Sequence, residues 1–265
     1  MSSYFGMFKM SFKNELQYRA KAISGIFTQF FWGLMYISLY TAFMKKDLPN
    51  GFTLHQMATY IWLGQAFLMM RFILMPSKSA NDIVNGNVCY NFVRPIKLYN
   101  QWYFSHIGRI LASTLLRFLP ILLIASFLPK NISLGLPASF PAFMLFVLTL
   151  IIGAFINASI SMVAVYITFV TQSPKGAISI VSTITSLLSG MLVPIPIMPI
   201  NLQKVLNFLP FRYITDLPFR IYMGNIPLLE GLKFTLISVV WLTILITVGK
   251  LLINSASKKA VIQGG

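Results

Sequence analysis

Long apolar runs separated by short polar stretches dominate this sequence. Six runs have the length of a membrane-crossing helix, because the apolar core of a bilayer takes about 20 helical residues. The pattern predicts spans over Ala22–Met44, Thr53–Met75, Ile107–Leu128, Pro141–Val170, Lys175–Val193 and Gly231–Ile253. The fourth run is longer than a bilayer requires, so we expect it to tilt or to extend into water.

The composition agrees with a polytopic membrane protein. Of the 265 residues, 57% are hydrophobic and 10% are charged, whereas a soluble domain carries about a quarter charged residues. The predicted fold class is an all-α membrane protein with six transmembrane helices. Its predicted parts are an interfacial helix over residues 1–21, a single six-span domain over 22–253 and a cytoplasmic tail over 254–265.

Lysine and arginine are distributed unevenly between the two sides of the predicted spans, with Arg117 left inside the third. The side that carries both termini holds thirteen: Lys9, Lys13, Arg19, Lys21, Arg71, Lys78, Arg94, Lys97, Arg109, Lys175, Lys250, Lys258 and Lys259. The other side holds seven: Lys45, Lys46, Lys130, Lys204, Arg212, Arg220 and Lys233. Because cytoplasmic loops are enriched in these cations, both termini are predicted to be cytoplasmic.

The formal net charge of +16 also bears on the partners. In a soluble chain such a charge would suggest nucleic acid. In a chain this hydrophobic it favours contact with anionic lipid at the membrane surface. We therefore expect membrane lipid, and no nucleic acid, among the partners.

The first twenty residues form a pattern of their own. On a helical wheel one face carries apolar side chains, and the opposite face carries polar ones: Phe5, Phe8, Phe12 and Leu16 against Lys13, Asn14, Gln17 and Lys21. This pattern is typical of a helix that lies in the cytoplasmic membrane interface. An irregular tail with coincidental spacing is the alternative.

The sequence lacks residues for ATP hydrolysis or metal binding. It contains no GxxxxGK[ST] phosphate loop, and its two histidines, His55 and His106, have no carboxylate or cysteine at metal-ligand spacing. The five acidic residues are scattered outside the span interiors: Glu15, Asp47, Asp82, Asp216 and Glu230. We predict a non-catalytic chain without cofactor or metal, whose energy source is on another polypeptide.

The longest polar connection, over residues 76–106, joins the second and third predicted spans. Ser79 or Asn81 can cap a short helix there, Gly86 can end it, and Arg94–Pro95 can turn the chain. A short cytoplasmic helix would suit docking of a soluble partner, whereas a solvated loop with interfacial aromatic residues is an equal alternative. The candidate docking residues are Asp82, Ile83, Asn85, Asn87, Tyr90, Phe92 and Arg94.

Small polar residues recur at helical spacing in the fourth and fifth predicted spans. They indicate either a polar seam along a substrate path or close helix packing. The candidate path residues are Gln65, Asn157, Ser161, Ser182, Ser186 and Gly190.

Arg117 falls near the middle of the third predicted span. An ionised side chain there costs at least ~2.5–3.5 kcal/mol, so we expect it to find a carbonyl, a hydroxyl, water or a lipid phosphate. A misplaced span boundary that lets Arg117 reach the interface is the alternative.

The stretch SGMLVPIPIMPINLQKVLNFLP, residues 189–210, contains four prolines. Proline blocks helix continuation, so the fifth span is expected to end near Val193. The pieces that follow, over 194–230, are too short to cross a bilayer. They are predicted to be short extracellular re-entrant helices that form an outer gate, with the candidate gate residues Pro194, Pro196, Pro199 and Phe211.

Three stretches together resemble the permease subunit of a type-2 ATP-binding-cassette exporter, in its small bacterial six-span subfamily. They are YFGMFKMSFKNELQYRAK at the start, NDIVNGNVCYNFVRP between spans two and three, and SGMLVPIPIMP at the end of span five. The resemblance extends over nearly the whole chain.

This resemblance implies a dimer with a second copy or with a different permease, served by cytoplasmic P-loop ATPase subunits that bind ATP and Mg. The docking candidates would contact the ATPase, and a hydrophobic or amphipathic drug, lipid, peptide or glycan would move outward. The location implied is the bacterial plasma (inner) membrane. An ion-coupled secondary transporter is the alternative, and a polytopic lipid-modifying enzyme is a weaker one.

Overall fold

The computed structural model describes residues 2–43, 52–71, 73, 77–92 and 96–259, and over these ranges its regular structure is entirely helical. The α-helices are α1 Ser2–Leu16, α2 Arg19–Phe43, α3 Leu54–Ala66, α4 Leu68–Arg71, α5 Ser77–Val84, α6 Cys89–Phe92, α7 Leu98–Leu115, α8 Phe118–Ser126, α9 Phe140–Thr171, α10 Pro174–Leu188, α11 Ile200–Phe208, α12 Asp216–Tyr222 and α13 Leu228–Lys259. Two 3-10 helices, Ile195–Ile197 and Pro210–Ile214, flank α11.

Four helical stretches in the described ranges are long and apolar enough to cross a membrane: Arg19–Phe43, Leu98–Ser126, Phe140–Thr171 and Leu228–Lys258. They correspond to predicted spans one, three, four and six. The other two predicted spans are shorter, since α3 has 13 residues and α10 has 15. At about 1.5 Å per residue each falls short of a bilayer core of about 30 Å. The all-helical fold is confirmed, and six spans remain a prediction.

Helix α9 is the centre of the fold. Helices α13, α10 and α12 and the 3-10 helix Pro210–Ile214 all pack against it. Small residues on α9 make these contacts close: a Cβ on Gly153 would lie 2.6 Å from the carbonyl oxygen of Tyr213, and Ala158 is fully buried. Close approach of backbones at small residues is the usual basis of helix packing in membranes.

The segment between α10 and α13 packs along α9. Its 3-10 helix Pro210–Ile214 meets α9 at Gly153, about 20 Å along that helix from Phe140. Its last helix, α12, ends beside the start of α9, where the ring centroids of Tyr222 and Phe146 are 5.1 Å apart and Ala138 N donates to Tyr222 O at 2.9 Å. The segment therefore consists of short helices that pack along the first half of α9.

The N-terminal helix α1 packs side by side with α7. Gly108 on α7 makes the contact possible, because a Cβ there would lie 2.5 Å from the carbonyl oxygen of Phe8. At the far end of α1, Glu15 Oε1 accepts a hydrogen bond from Ser113 Oγ at 2.7 Å, and Glu15 Oε2 lies 3.4 Å from Arg109 Nε. Helix α1 is thus fixed to the helical bundle, and its position in a membrane interface remains a prediction.

The third predicted span is broken at Arg117. Helix α7 ends at Leu115 and α8 begins at Phe118, because Pro120 has no N–H to donate to the carbonyl of Leu116. The buried Arg117 side chain points to the start of α2, where its Nη2 donates to Lys21 O at 3.3 Å. A Cβ on Gly25 would lie 3.0 Å from its guanidinium carbon, so glycine leaves room for this contact.

Candidate functional site

A small pocket lies between α2, α3, α4 and the chain that follows α10. It combines three tyrosines, one amide and one guanidinium with apolar side chains. Such a combination suits an amphipathic molecule, which needs apolar walls and a few polar anchors. The lining residues are Tyr36, Tyr40, Tyr60, Ile61, Gln65, Arg71, Met191, Leu192 and Pro194.

Two tyrosine hydroxyls hold the chain that closes this pocket. Tyr60 donates to the carbonyl oxygen of Gly190 at 3.3 Å, and Tyr40 donates to that of Leu192 at 3.4 Å. Gly190 has φ +80°, a conformation that costs other residues about 1–2 kcal/mol. A Cβ at this position would also lie 2.8 Å from the Tyr60 hydroxyl. Glycine is therefore required here for both its backbone and its size.

Arg71, at the end of α4, is only 6% exposed. Its Nε donates to Thr215 Oγ1 at 3.2 Å, and its guanidinium carbon lies 5.7 Å from the centre of the Phe219 ring. Gly64 leaves room for the guanidinium, since a Cβ there would collide with Nη1. Among the described residues no carboxylate forms an ion pair with Arg71.

The contact with Thr215 joins two segments that the sequence assigns to opposite sides of the membrane. From the sequence, Arg71 is grouped with the cytoplasmic loop, whereas Thr215 falls in the segment predicted for the opposite side. The structure places Arg71 at the end of α4 and buries it against Thr215, within the helical bundle. The side of the membrane on which this contact lies stays a prediction.

A cluster of buried charged side chains lies around Asp216, the residue after Thr215. Asp216 is completely buried, and its Oδ2 lies 3.6 Å from Arg212 Nη2 and 3.8 Å from Arg220 Nη1. Arg212 also donates to Asn207 Oδ1 and lies over the ring of Phe234. Burial raises the pKa of Asp216, and the positive charges of Arg220 and Arg212 act in the opposite direction. These contacts tie α11, α12 and α13 together.

The candidate docking loop contains two short helices, α5 and α6, joined at Gly86 with φ +72°. Asp82 Oδ2 accepts from Asn91 Nδ2 at 3.3 Å, and Asn91 Oδ1 accepts from Gln101 Nε2 at 3.5 Å, which links the loop to α7. Ile83 is buried.

The tip of this loop is exposed. Asn85, Asn87 and Tyr90 are exposed, Tyr90 by 73%. Phe92 closes α6, and Arg94 lies outside the described residues. We refer to the exposed residues Asn85, Asn87 and Tyr90 as the docking tip.

The candidate path residues fall into two groups. Gln65 lines the pocket and Gly190 accepts the hydrogen bond from Tyr60, while Ser186 donates to the sulfur of Met191, another lining residue. Asn157 and Ser161 are buried on α9, where Ser161 Oγ donates to Asn157 O within the helix, and they do not line this pocket. Ser182 likewise donates to a carbonyl of its own helix, that of Ser179.

The candidate gate residues are spread along the segment after α10. Pro194 is buried and lines the pocket. Pro196 is buried in the first 3-10 helix, and its carbonyl accepts a hydrogen bond from Gln203 Nε2 at 3.3 Å. Pro199 precedes α11 as its N-cap, and Phe211 packs against the core from the second 3-10 helix.

Residues 30–264 match the family model described as ABC-2 family transporter protein. The chain belongs to this family. Among curated proteins, no match to the chain is found. The prediction of a type-2 ABC permease is confirmed, and with the apolar helices it makes this chain a membrane permease of an ABC transporter.

Several pocket residues of this ABC-2 permease do not stand out in the sequence as site candidates. They are Tyr36 and Tyr40 on α2, Tyr60 on α3, and Arg71. The four-residue spacing of Tyr36 and Tyr40 puts both on one helix face, and Arg71 interrupts an apolar run. These signals could have marked the residues, although neither shows which helices face each other.

Proposed function

We propose that this ABC-2 permease moves a hydrophobic or amphipathic substrate, such as a drug, lipid, peptide or glycan, outward across the membrane. A separate cytoplasmic P-loop ATPase would bind ATP and Mg and supply the energy. The observation that carries the proposal is the pocket itself. Its walls come from α2, from α3 and α4, and from the chain after α10, and tyrosine hydroxyls close it through single hydrogen bonds.

The proposed membrane arrangement has six spans, with both termini in the cytoplasm of a bacterial cell and the permease in its inner membrane. Span two would consist of α3 and α4 together, since Leu54–Arg71 is about 27 Å long at 1.5 Å per residue. Span five would be α10. The packing of the segment after α10 along α9 supports short re-entrant helices on the outer side, because non-helical backbone at membrane depth has to be covered by protein.

Coupling to the ATPase is proposed to run through the docking tip and α1. Helix α5 packs against α9, so a movement imposed on the tip would reach the central helix directly. The transporter would contain a second permease, either another copy or a different chain. We propose a role for this chain in transport only, with the catalytic step on the ATPase.

A second candidate is an ion-coupled secondary transporter, for which the complete burial of Asp216 is the relevant observation. Intramembrane carboxylates often carry the coupling ion in such carriers. Here Arg212 and Arg220 flank the carboxylate at 3.6 and 3.8 Å. A paired carboxylate of this kind favours a structural role, so we place the ABC exporter first.

Purification of the tagged chain from its native membrane in a mild detergent tests the proposal. We expect mass spectrometry to identify a P-loop ATPase in stoichiometric amount, and the complex to show vanadate-sensitive ATP hydrolysis. The same spectrum would reveal whether a second, different permease is present. A chain that is repeatedly purified alone, with no ATP turnover, would contradict the proposal and favour the ion-coupled carrier.

A further inference from the structure

We propose that the pocket binds an amphiphile that carries an anionic group, a carboxylate or a phosphate, and that Arg71 pairs with this group. The inference rests on the proposed function, because it names the substrate class of the same site. It goes further in assigning the charge of the substrate and the residue that recognises it.

Arg71 is a buried cation at the wall of the pocket. It is more than nine-tenths buried, lines the pocket, and has no ion-pair partner in the described ranges. Its Nε is bonded to Thr215 Oγ1. A buried cation without a counter-charge is costly, and a ligand anion would remove that cost.

The other charged side chains of this region belong to Asp216, Arg212 and Arg220. Asp216 follows Thr215 in the chain, but its carboxylate is already paired with Arg212 and Arg220. The region therefore has three arginines and one carboxylate, with two positive charges in excess. Arg71 is the arginine of this group that lines the pocket. The guanidinium fork matches a carboxylate or a phosphate in bidentate geometry.

The remaining walls of the pocket combine apolar side chains with tyrosine rings. Ile61, Met191 and Leu192 supply apolar surface, and Tyr36 and Tyr40 supply rings with polar tips. An apolar chain attached to the anion can lie against these residues, with the tyrosine hydroxyls beside its polar part. A small inorganic anion would leave this surface without a contact. An anionic amphiphile satisfies both parts of the pocket.

Direct binding to the purified full chain in phosphatidylcholine nanodiscs tests the proposal. The probes are 11-(dansylamino)undecanoic acid and the alcohol with the same chain, which differ only in the charged end. We expect the wild type to bind the acid about tenfold more tightly than the alcohol, the size expected for one charge-assisted contact. Equal affinity for the two probes would overturn the proposal without any variant.

Variants assign the preference to a residue. Arg71→Gln should lose the preference for the acid and keep its affinity for the alcohol, which also reports that the pocket is folded. Arg71→Lys keeps the positive charge but not the bidentate geometry of the guanidinium, so it should keep part of the preference for the acid over the alcohol. Arg19→Gln, at the exposed start of α2, is the matched control and should bind as the wild type does. A preference that survives Arg71→Gln would contradict the role of Arg71.

Adding phosphatidylglycerol to the nanodiscs separates two sources of the anion. Displacement of the acid would identify a membrane lipid headgroup as an occupant, and lack of displacement would indicate a non-lipid anionic amphiphile; both agree with the pairing to Arg71. Because the permease is tested alone, the result is independent of the ATPase. ATP-driven transport with no anion preference would keep the proposed function and overturn this inference.

Discussion

The hydroxyl of Tyr60 on α3 donates a hydrogen bond to the carbonyl oxygen of Gly190, 130 residues further along the chain, at 3.3 Å. This contact joins the second predicted span to the end of the fifth. It is made at the one point where α10 gives way to the Pro-rich segment. A single neutral hydrogen bond contributes about 1 kcal/mol, whereas leaving the buried Tyr60 hydroxyl without a partner would cost about 1–3 kcal/mol.

Gly190→Ala tests how tightly this junction is built. We expect a loss of stability from the left-handed backbone, about 1–2 kcal/mol, and a further loss because the new Cβ meets the Tyr60 hydroxyl. Gly86→Ala is the matched control, since Gly86 also has positive φ but has no atom within 4 Å of the Cβ position. Thermal melting in detergent should show a larger loss of stability for Gly190→Ala than for Gly86→Ala. Adding Tyr60→Phe to Gly190→Ala should reduce the loss caused by the new Cβ. Equal losses at the two glycines would contradict the contact.

Gly108→Ala tests the packing of α1 on α7. The added Cβ would lie 2.5 Å from the backbone oxygen of Phe8, and a backbone atom cannot move aside without moving α1. We expect faster protease cleavage of the N-terminal residues and a lower melting temperature. Gly6→Ala, on α1 with open space around its Cβ position, is the control and should lower neither the protease resistance nor the melting temperature, because alanine is the better helix former. Wild-type protease resistance in Gly108→Ala would show that α1 is not held by this contact.

The pH dependence of stability tests the burial of Asp216. Burial raises the pKa of this carboxyl in the folded chain, so the folded state binds a proton more readily than the unfolded state. The stabilisation from this proton is complete below the unfolded pKa and is lost as pH rises through the folded pKa. Wild type should therefore gain stability relative to Asp216→Asn as pH falls from neutral toward 4. Melting curves of both proteins over this pH range measure the difference in stability between them. The contributions of the other titrating groups are the same in both proteins and cancel in this difference.

A loss of wild-type stability relative to Asp216→Asn at lower pH would contradict this prediction. If wild type loses stability relative to Asp216→Asn as pH falls, Arg212 and Arg220 keep the carboxylate ionised. The pKa would then be lowered by the ion pairs, and the effect of burial would be the smaller one.

The docking tip can be tested without disturbing the fold. Tyr90 is 73% exposed, so Tyr90→Ala should change the free energy of unfolding by no more than about 0.5 kcal/mol, as surface substitutions usually do. The melting temperature should therefore stay close to that of the wild type. We expect it to reduce the amount of ATPase that co-purifies. Phe127→Ala, at a side chain 87% exposed and remote from the loop in sequence, is the control. Undiminished ATPase recovery with Tyr90→Ala and with Asn87→Ala would remove the docking role from the tip.

Local features of the fold can be read from the sequence. The helix over the first residues follows from its periodicity, the short helix before Gly86 from its turn residues, and the end of α10 from Gly190 and the prolines after it. Each of these depends on neighbours in the chain. The break at Arg117 is local too, since Pro120 causes it, but hydropathy averaged over a whole span conceals it.

The pocket could not be predicted in the same way. Arg71 and Thr215 are 144 residues apart, and hydropathy does not say which helices are neighbours or how deep a short helix reaches. A stripe of small polar residues can also be interpreted in two ways, because close helix packing and a substrate path use the same residue types. The structure separates Gln65, which lines the pocket, from Asn157 and Ser161, which are buried on α9.

The most direct test of the transport role is a reversible cross-link between Tyr40 and Leu192, whose contact closes the pocket. In a Cys89→Ser background, Tyr40→Cys and Leu192→Cys would be joined by a cleavable bifunctional thiol reagent, and ATP-driven transport would be measured in vesicles with the co-purified ATPase. If the substrate passes this junction, the cross-linked transporter is inactive, each single cysteine is active, and a reductant restores transport. Full transport by the cross-linked protein would contradict a path through the pocket.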